Sequence, residues 1–172
     1  MSEQEYIDYF EYLASQHQAI QHAIDPVLKR KAFYYVHEDN MAELETATKN
    51  QLTLPAVLLD QYFDESDTEN DNNRLRIQCG LSVICKVEAG NLASIRAARQ
   101  QARQIARSFI KRLRADCRYG GVLYEKNILV QPSTQGEPTP VIGGGAATGW
   151  GYGFTLLMPD SQPASPADWL DS

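Results

Sequence analysis

Residues 91–121 read NLASIRAARQQARQIARSFIKRLRADCRYGG, and this stretch decides the fold. Its apolar side chains recur at steps of three and four residues, which places them on one face of an α-helix. They are Leu92, Ile95, Ala98, Ala102, Ile105, Phe109 and Leu113. Asn91 stands where an N-cap belongs, and Gly120 and Gly121 follow the last turn. The sequence therefore predicts one long amphipathic helix whose apolar face covers the rest of the fold.

A row of arginines runs beside that apolar face. Its members are Arg96, Arg99, Arg103, Arg107, Arg114 and Arg118. Like charges at steps of four destabilise an isolated helix mildly, so a partner outside the helix is expected to relieve them. Residues 91–121 carry 8 of the 16 basic residues and one acid, a local charge of +7 against −13 for the remainder. This segregation favours an acidic partner surface, with a solvated helix face as the alternative.

The composition is that of one globular domain. The chain has 172 residues, of which 43% are hydrophobic and 22% charged. We expect a single domain over 1–159 and a polar tail over 160–172. No apolar run approaches the roughly 20 residues of a membrane span, and the acidic N-terminus is unlike a signal peptide, so we expect a cytoplasmic protein with no membrane partner. Cys79, Cys85 and Cys117 lack CxxC spacing and predict buried, reduced thiols.

The segments before the long helix predict two helices and three strands. Helices are expected over 3–24 and 41–50, and strands over 31–39, 55–63 and 74–88. The last two strands are expected to be antiparallel neighbours. They are joined by DESDTENDNN at 64–73, which predicts a solvated acidic loop.

The segment after the long helix predicts two further strands. They are expected over 121–133 and 151–159, with a Pro- and Gly-rich loop over 135–153 between them. Trp150 and Tyr152 in this loop indicate either a mobile connection or an arm that binds a partner. The order α-β-α-β-β-α-β-β predicts an α+β domain. Its mixed, mostly antiparallel sheet of about five strands is packed by the central helix and the N-terminal helices.

No segment carries a recognisable catalytic, metal or cofactor motif. GxSxG is absent, and GGGAATGWGYG lacks the GK[ST] ending and precedes a strand. Asp67, Glu69 and Asp71 alternate as calcium ligands do, but no glycine or closing glutamate completes an EF-hand loop. His37, Glu38 and Asp39 are expected to form a solvated turn. The sequence predicts no enzyme, no metal and no cofactor.

The order of elements resembles the tail terminator proteins of long-tailed bacteriophages and contractile injection systems. The resemblance covers about residues 1–159 and rests on LPAVLLD at 54–60, RLRIQCGLSVICKVE at 74–88, the long helix and GWGYGFTLLMP at 149–159. It implies a structural ring subunit, typically of a hexamer, that caps the tail tube and joins it to the neck. The implied partners are copies of itself, the tail tube and neck or sheath proteins. The implied locations are the cytoplasm during assembly and then the virion or injection particle.

A ring subunit needs interface residues, and three groups are candidates. They are the arginines Arg96, Arg99, Arg103 and Arg107, the acids Asp67, Glu69 and Asp71 as their counterpart, and the apolar anchors Trp150, Tyr152, Trp169 and Leu170. Trp169 and Leu170 lie in the tail, where a disordered end is the alternative.

Three other classes of function stay open. One is another tail or neck completion protein, another is a nucleic-acid-binding module using the basic helix 91–118, and the third is a small enzyme with an unrecognised site. We do not expect nucleic acid as a partner, because the chain is acidic overall and no stacking aromatics are interleaved with the arginines.

Overall fold

The computed structural model describes residues 1–25, 27, 29–36, 41–61, 63–67 and 74–159. Within them the helices and strands follow in the order α1 (Glu3–Gln16), β1 (Phe33–Val36), α2 (Met41–Asn50), β2 (Ala56–Asp60), β3 (Phe63–Asp67), β4 (Arg74–Lys86), α3 (Leu92–Asp116), β5 (Leu129–Ile142) and β6 (Ala147–Pro159). A mixed, mostly antiparallel sheet packed by one long central helix confirms the predicted α+β class.

The sheet has the strand order β1-β2-β4-β6-β5, and β3 pairs with β4 beyond the end of β2. β1 and β2 are parallel, while the other pairs are antiparallel. The expected antiparallel pairing of β2 with β4 is confirmed, with Leu59 opposite Leu81. β4 and β6 form the longest ladder, from Arg74 opposite Pro159 to Lys86 opposite Ala147. β5 lies at one edge of the sheet.

Helix α3 forms where the sequence predicts it. The Asn91 side chain accepts hydrogen bonds from the N–H groups of Ala93 and Ser94, at 3.0 and 3.1 Å, and so caps the first turn. The apolar stripe is buried from its second turn onward, and its buried members are Ala98, Ala102, Ile105, Phe109 and Leu113. Leu92 is exposed, so the first turn extends past the sheet.

Helix α1 is shorter than the predicted 3–24, because it ends at Gln16. His17 leaves the helical conformation, and its Nδ1 accepts the N–H of Ala19 at 3.1 Å, a local bond that competes with continuation of the helix. Tyr6, Phe10 and Leu13 are buried on α1, whereas Ile24, at the end of the longer helix that was predicted, is exposed. Ile20 is buried from the turn that follows α1.

Two boundaries differ from the prediction on either side of β4 and α3. Residues 64–67 of the expected acidic loop belong to β3, which pairs with β4, and residues 68–73 lie outside the described part of the chain. The strand expected over 121–133 begins only at Leu129. The reason is that the Asp116 carbonyl accepts the N–H groups of both Leu123 and Tyr124, which folds this segment back onto the end of α3.

The expected loop 135–153 is wrong, because most of it is strand. β5 and β6 form a hairpin whose turn holds Gly143, Gly144 and Gly145, all with positive φ. Gly149 is required for another reason: a Cβ there would overlap the carbonyl oxygen of Val83 on β4. The glycines that suggested mobility therefore serve a tight turn and a close approach of two strands.

The two faces of the sheet are covered differently. α1 and α3 lie on the face that carries the even-numbered residues of β6, here called the α3 face, as the ring contact of Phe10 with Phe154 shows. α2 reaches the β5–β6 turn, where the Gly144 N–H donates to the Glu45 carboxylate at 3.2 Å. Further along the strands the opposite face carries a groove, described below.

Candidate interaction surfaces

Four of the six predicted arginines form a straight row along α3. At 100° per residue, Arg96, Arg103, Arg107 and Arg114 fall within a sector of about 40° on α3, and they are called here the arginine stripe. All four are exposed. Arg99 lies off this line and is half-buried, with its guanidinium within 3.3 Å of the Thr148 hydroxyl and 3.5 Å of the Thr139 carbonyl. Arg99 is thus held by the hairpin, while the stripe itself faces outward.

Trp150 packs against one arginine of the stripe, Arg103. The Arg103 guanidinium lies over the indole ring, 5.1 Å from its centroid, which is a cation–π contact. Trp150 and Tyr152 are half-buried on β6, which runs between β4 and β5 in the interior of the sheet. The interpretation of these two residues as a mobile arm is therefore wrong.

No arginine of the stripe has an ion-pair partner among the described residues. The acid of α3, Asp116, is 6% exposed and lies on the side of the helix that faces α1. Its carboxylate accepts the Tyr9 hydroxyl at 2.8 Å and Arg112 Nε at 2.9 and 3.0 Å, and these bonds raise the pKa of Arg112. Asp116 therefore joins α1 to α3 and does not neutralise the arginines of the stripe.

An exposed patch of aromatic and aliphatic side chains lies just beyond α3, and we call it the terminal patch. Tyr119 is 91% exposed, and its ring meets that of Tyr124 edge to face with centroids 5.6 Å apart. Val122 and Leu129 are exposed beside them in the chain. A depression of about 400 Å³ at Leu129 and Leu157 is bordered by Arg114 and Arg118. Tyrosine and arginine together are typical of protein–protein interfaces.

A second depression, of about 360 Å³, lies on the opposite face of the sheet. We call it the glycine groove, and the residues that define it are Asp60, Gly80, Ser82, Glu137, Gly151 and Gly153. The Asp60 carboxyl lies over Gly80, where a Cβ would overlap it, and burial raises the pKa of Asp60. Glu137 is exposed at the other end. The groove thus has a floor of backbone and an acid at each end.

A histidine and a serine meet between α1 and α3, in a cavity of about 200 Å³. His17 Nε2 lies 2.8 Å from the Ser108 hydroxyl, a spacing that would suit a nucleophile and its base. The proton positions oppose that role. Nδ1 accepts the Ala19 N–H, so the neutral ring donates from Nε2, and Ser108 donates its own proton to the Ile105 carbonyl at 2.6 Å. Burial lowers the pKa of His17, which favours this neutral, structural form.

The three thiols are buried and unpaired, as predicted. Burial raises the pKa of Cys79 to about 12 and the pKa values of Cys85 and Cys117 to about 11, so each is protonated at neutral pH and a poor nucleophile. No group of three metal-ligating side chains occurs within the described ranges, and His37, Glu38 and Asp39 lie outside them. None of the helices described is long and apolar enough to cross a membrane.

The predicted interface residues fall into three groups. Arg103 on α3 contacts Trp150 on β6, and Arg99 bonds to Thr148 on the same strand, whereas Arg96 and Arg107 face outward. Tyr152 lies two residues after Trp150 on β6. Asp67 lies in β3, and only its backbone position, opposite Leu75, is described. Glu69, Asp71, Trp169 and Leu170 lie outside the described residues.

Sequence reasoning missed both the terminal patch and the glycine groove. The patch carries a weak signal, two tyrosines flanking the Gly120–Gly121 turn. The alternating glycines 149, 151 and 153 would have indicated a bare strip of sheet if the segment had been recognised as a strand.

Comparison with known proteins finds no matching family, no similar curated protein and no similar solved structure.

Proposed function

We propose that this protein is a structural ring subunit that caps or terminates a phage-type tail tube and joins it to the neck. The observation that carries the proposal is the arginine stripe, which stays exposed and without an ion-pair partner among the described residues. Arg103 and Arg107 are like charges one turn apart, a mildly unfavourable arrangement that a partner of opposite charge would relieve. An acidic surface on a copy of the chain is the simplest partner, since the chain outside 91–121 has a net charge of −13.

The remaining features of the molecule agree with a binding role. The terminal patch offers a second surface, rich in tyrosine and bordered by arginine, that a neighbouring tube or neck protein could cover. His17 and Ser108 resemble a catalytic pair, but the neutral His17 ring donates from Nε2 and Ser108 donates to the Ile105 carbonyl. His17 therefore cannot accept the Ser108 proton, as nucleophilic chemistry would require. The specific assignment to a tail comes from the order of elements and the closing strand GWGYGFTLLMP.

The proposal is tested by the mass of the protein in solution, alone and with tube protein. We expect the purified chain to form a ring of defined mass, or to form one when short tube assemblies are added. Electron microscopy of the mixture should then show density at tube ends only. A chain that stays monomeric and binds no tube end contradicts the proposal. Density along the whole tube would point instead to another tail or neck component.

A nucleic-acid-binding module is the second candidate, favoured by Arg114 and Arg118 at the depression beside Leu129 and by the exposed Tyr119, which follows Arg118 in the chain. Such a module would bind DNA with an affinity that falls steeply with salt, because each neutralised phosphate releases counterions. We expect no binding to duplex or single-stranded DNA at 0.15 M salt. Tight, salt-dependent binding that is lost on replacing Arg96 and Arg107 by glutamine would favour this candidate over the ring subunit.

A further inference from the structure

We propose that the arginine stripe of one copy lies in the glycine groove of the next copy, so that copies join front to back. This inference rests on the ring function proposed above and names the two surfaces that form its interface. Arg96 and Arg107, at the two ends of the contact, are exposed and make no hydrogen bond or ion pair with any described residue. The groove presents the carboxyl groups of Asp60 and Glu137.

The spacing of the charges is compatible between the two surfaces. Arg96 and Arg107 are eleven residues apart, which on a helix is about 16 Å along the axis and only about 20° around it. The Asp60 carboxyl lies over Gly80 on β4, and Glu137 lies on β5 opposite Gly151. The two acids are therefore separated by about two strand spacings and a two-residue step along the strands, about 12 Å. Arginine side chains are long, so two of them from one flank of a helix can converge on both acids.

The floor of the groove is shaped to receive flat groups. A Cβ at Gly80 or Gly151 would meet the end of the Asp60 or Ser82 side chain, which would then have to move. Gly153 differs: the nearest atom to a Cβ there is the Cys79 carbonyl oxygen at 3.9 Å, so the fold itself does not require glycine. Its lack of a side chain keeps the floor open. A guanidinium is planar and pairs with a carboxylate through two parallel hydrogen bonds, which suits such a floor.

The placement of the two surfaces favours a contact between copies over a contact within one copy. α3 covers the α3 face of the sheet, and the groove lies on the opposite face, so a chain cannot place its own stripe in its own groove. Arg76 and Lys86 are exposed on the groove side of β4, one towards each end of the strand, and would repel a stripe that slid along it. A contact between two different surfaces is heterologous, and such contacts close into rings when the rotation allows.

Charge reversal in two variants tests this contact. The stripe variant carries Arg96→Glu and Arg107→Glu, and the groove variant carries Asp60→Lys and Glu137→Lys. We expect each variant alone to dissociate, with the dissociation constant between copies raised about 30-fold or more. A 1:1 mixture of the two should reassemble, because each stripe then finds a groove of opposite charge. Native mass spectrometry would show rings in which the two variants alternate.

Two further variants keep the test independent of folding. Gly153→Val fills the groove floor at a position where the fold has room, so we expect loss of assembly with an unchanged thermal midpoint of the monomer. Lys29→Glu, at an exposed position that belongs to neither surface, controls for a single reversal of charge and should assemble as the unmodified chain does. If Asp60→Lys does not fold, Asp60→Asn with Glu137→Lys replaces the groove variant.

The outcomes separate this contact from the ring function. Rings that persist in the stripe variant and in Gly153→Val, or a mixture that fails to reassemble, would overturn the contact and leave the ring function standing. An unmodified chain that stays monomeric, with and without tube ends, would overturn both.

Discussion

Replacing Tyr9 by phenylalanine is expected to loosen the attachment of α1 to α3. The Tyr9 hydroxyl donates to the Asp116 carboxylate at 2.8 Å, and Asp116 is 6% exposed. Burial and this carboxylate raise the pKa of Tyr9, so the hydroxyl stays protonated and donates over the whole working pH range. Tyr9→Phe keeps the ring, including its edge-to-face contact with Phe10, and removes the hydroxyl alone.

The expected decrease in the free energy of unfolding depends on which hydrogen bonds Asp116 keeps in the variant. A hydrogen bond to a charged group contributes about 1.5–3 kcal/mol, and Arg112 still supplies both of its bonds to the carboxylate, so we expect a loss of about 2 kcal/mol. For a chain of this length, that loss lowers the thermal midpoint by about 4–8 °C.

Thermal and urea unfolding followed by circular dichroism measure the loss, with Tyr12→Phe as the matched control. Tyr12 is on the same helix, three residues on, and is 52% exposed. We expect its replacement to change the free energy of unfolding by less than about 0.5 kcal/mol. If Tyr9→Phe is as mild as Tyr12→Phe, the bond to Asp116 does not hold α1 in place and the reasoning fails.

Three more predictions concern other parts of the molecule. Gly149→Ala should destabilise the fold by about 3 kcal/mol or more, because its Cβ would overlap the Val83 carbonyl; an unchanged thermal midpoint would contradict the packing of β4 on β6. A thiol reagent at pH 8 should label the native chain slowly and label all three cysteines in 6 M urea, and one fast native thiol would show that the raised pKa values of Cys79, Cys85 and Cys117 are wrong. The hydrogen bond from Lys126 lowers the pKa of Glu5 from 4.5 to about 2, so Glu5 should stabilise the fold above pH 4.5 and lose that effect as the pH falls towards 2. Since Glu5 is 47% exposed, comparison with Glu5→Gln should give about 1 kcal/mol or less at pH 7 and only a small remainder at pH 2, and a difference that is unchanged at pH 2 would contradict this assignment.

Elements with one strong period could be predicted from the sequence. Helix α3 shows this best, since its N-cap Asn91 and its buried stripe up to Leu113 follow from spacing alone. β4 was equally clear because its odd-numbered residues are apolar, and they are buried from Ile77 to Cys85. In these segments local preference and tertiary packing agree, so the pattern is sufficient.

The β5–β6 hairpin could not be predicted, because glycine and proline are uncommon in strands and their density in this segment predicts a loop. Gly149 is favoured by the approach of Val83, which is 66 residues away in sequence, and no short window contains that information. The end of α1 could not be predicted for a different reason, since the apolar pattern continues to Ile24 while the His17 side chain bonds to the nearby backbone and ends the helix. Tertiary contacts outweighed the local pattern at the hairpin, and a local side-chain bond outweighed it at the end of α1.

The candidate surfaces were predictable only in part. The charge of the arginine stripe is visible in the sequence, but Arg99 and Arg103 could be told apart from Arg96 and Arg107 only when the hairpin was seen beneath them. The glycine groove joins residues from β2, β4, β5 and β6, so it exists only in the folded sheet.

The edge strand β5 limits how copies of this chain can join. Three of its residues, Pro132, Pro138 and Pro140, are prolines, which carry no backbone N–H and cannot donate to a further strand. Open-ended strand addition, the route by which exposed edges grow into fibrils, is therefore obstructed along this border. A contact that another chain makes at this border must therefore form mainly through side chains, whose shape and charge can limit the number of chains that join there.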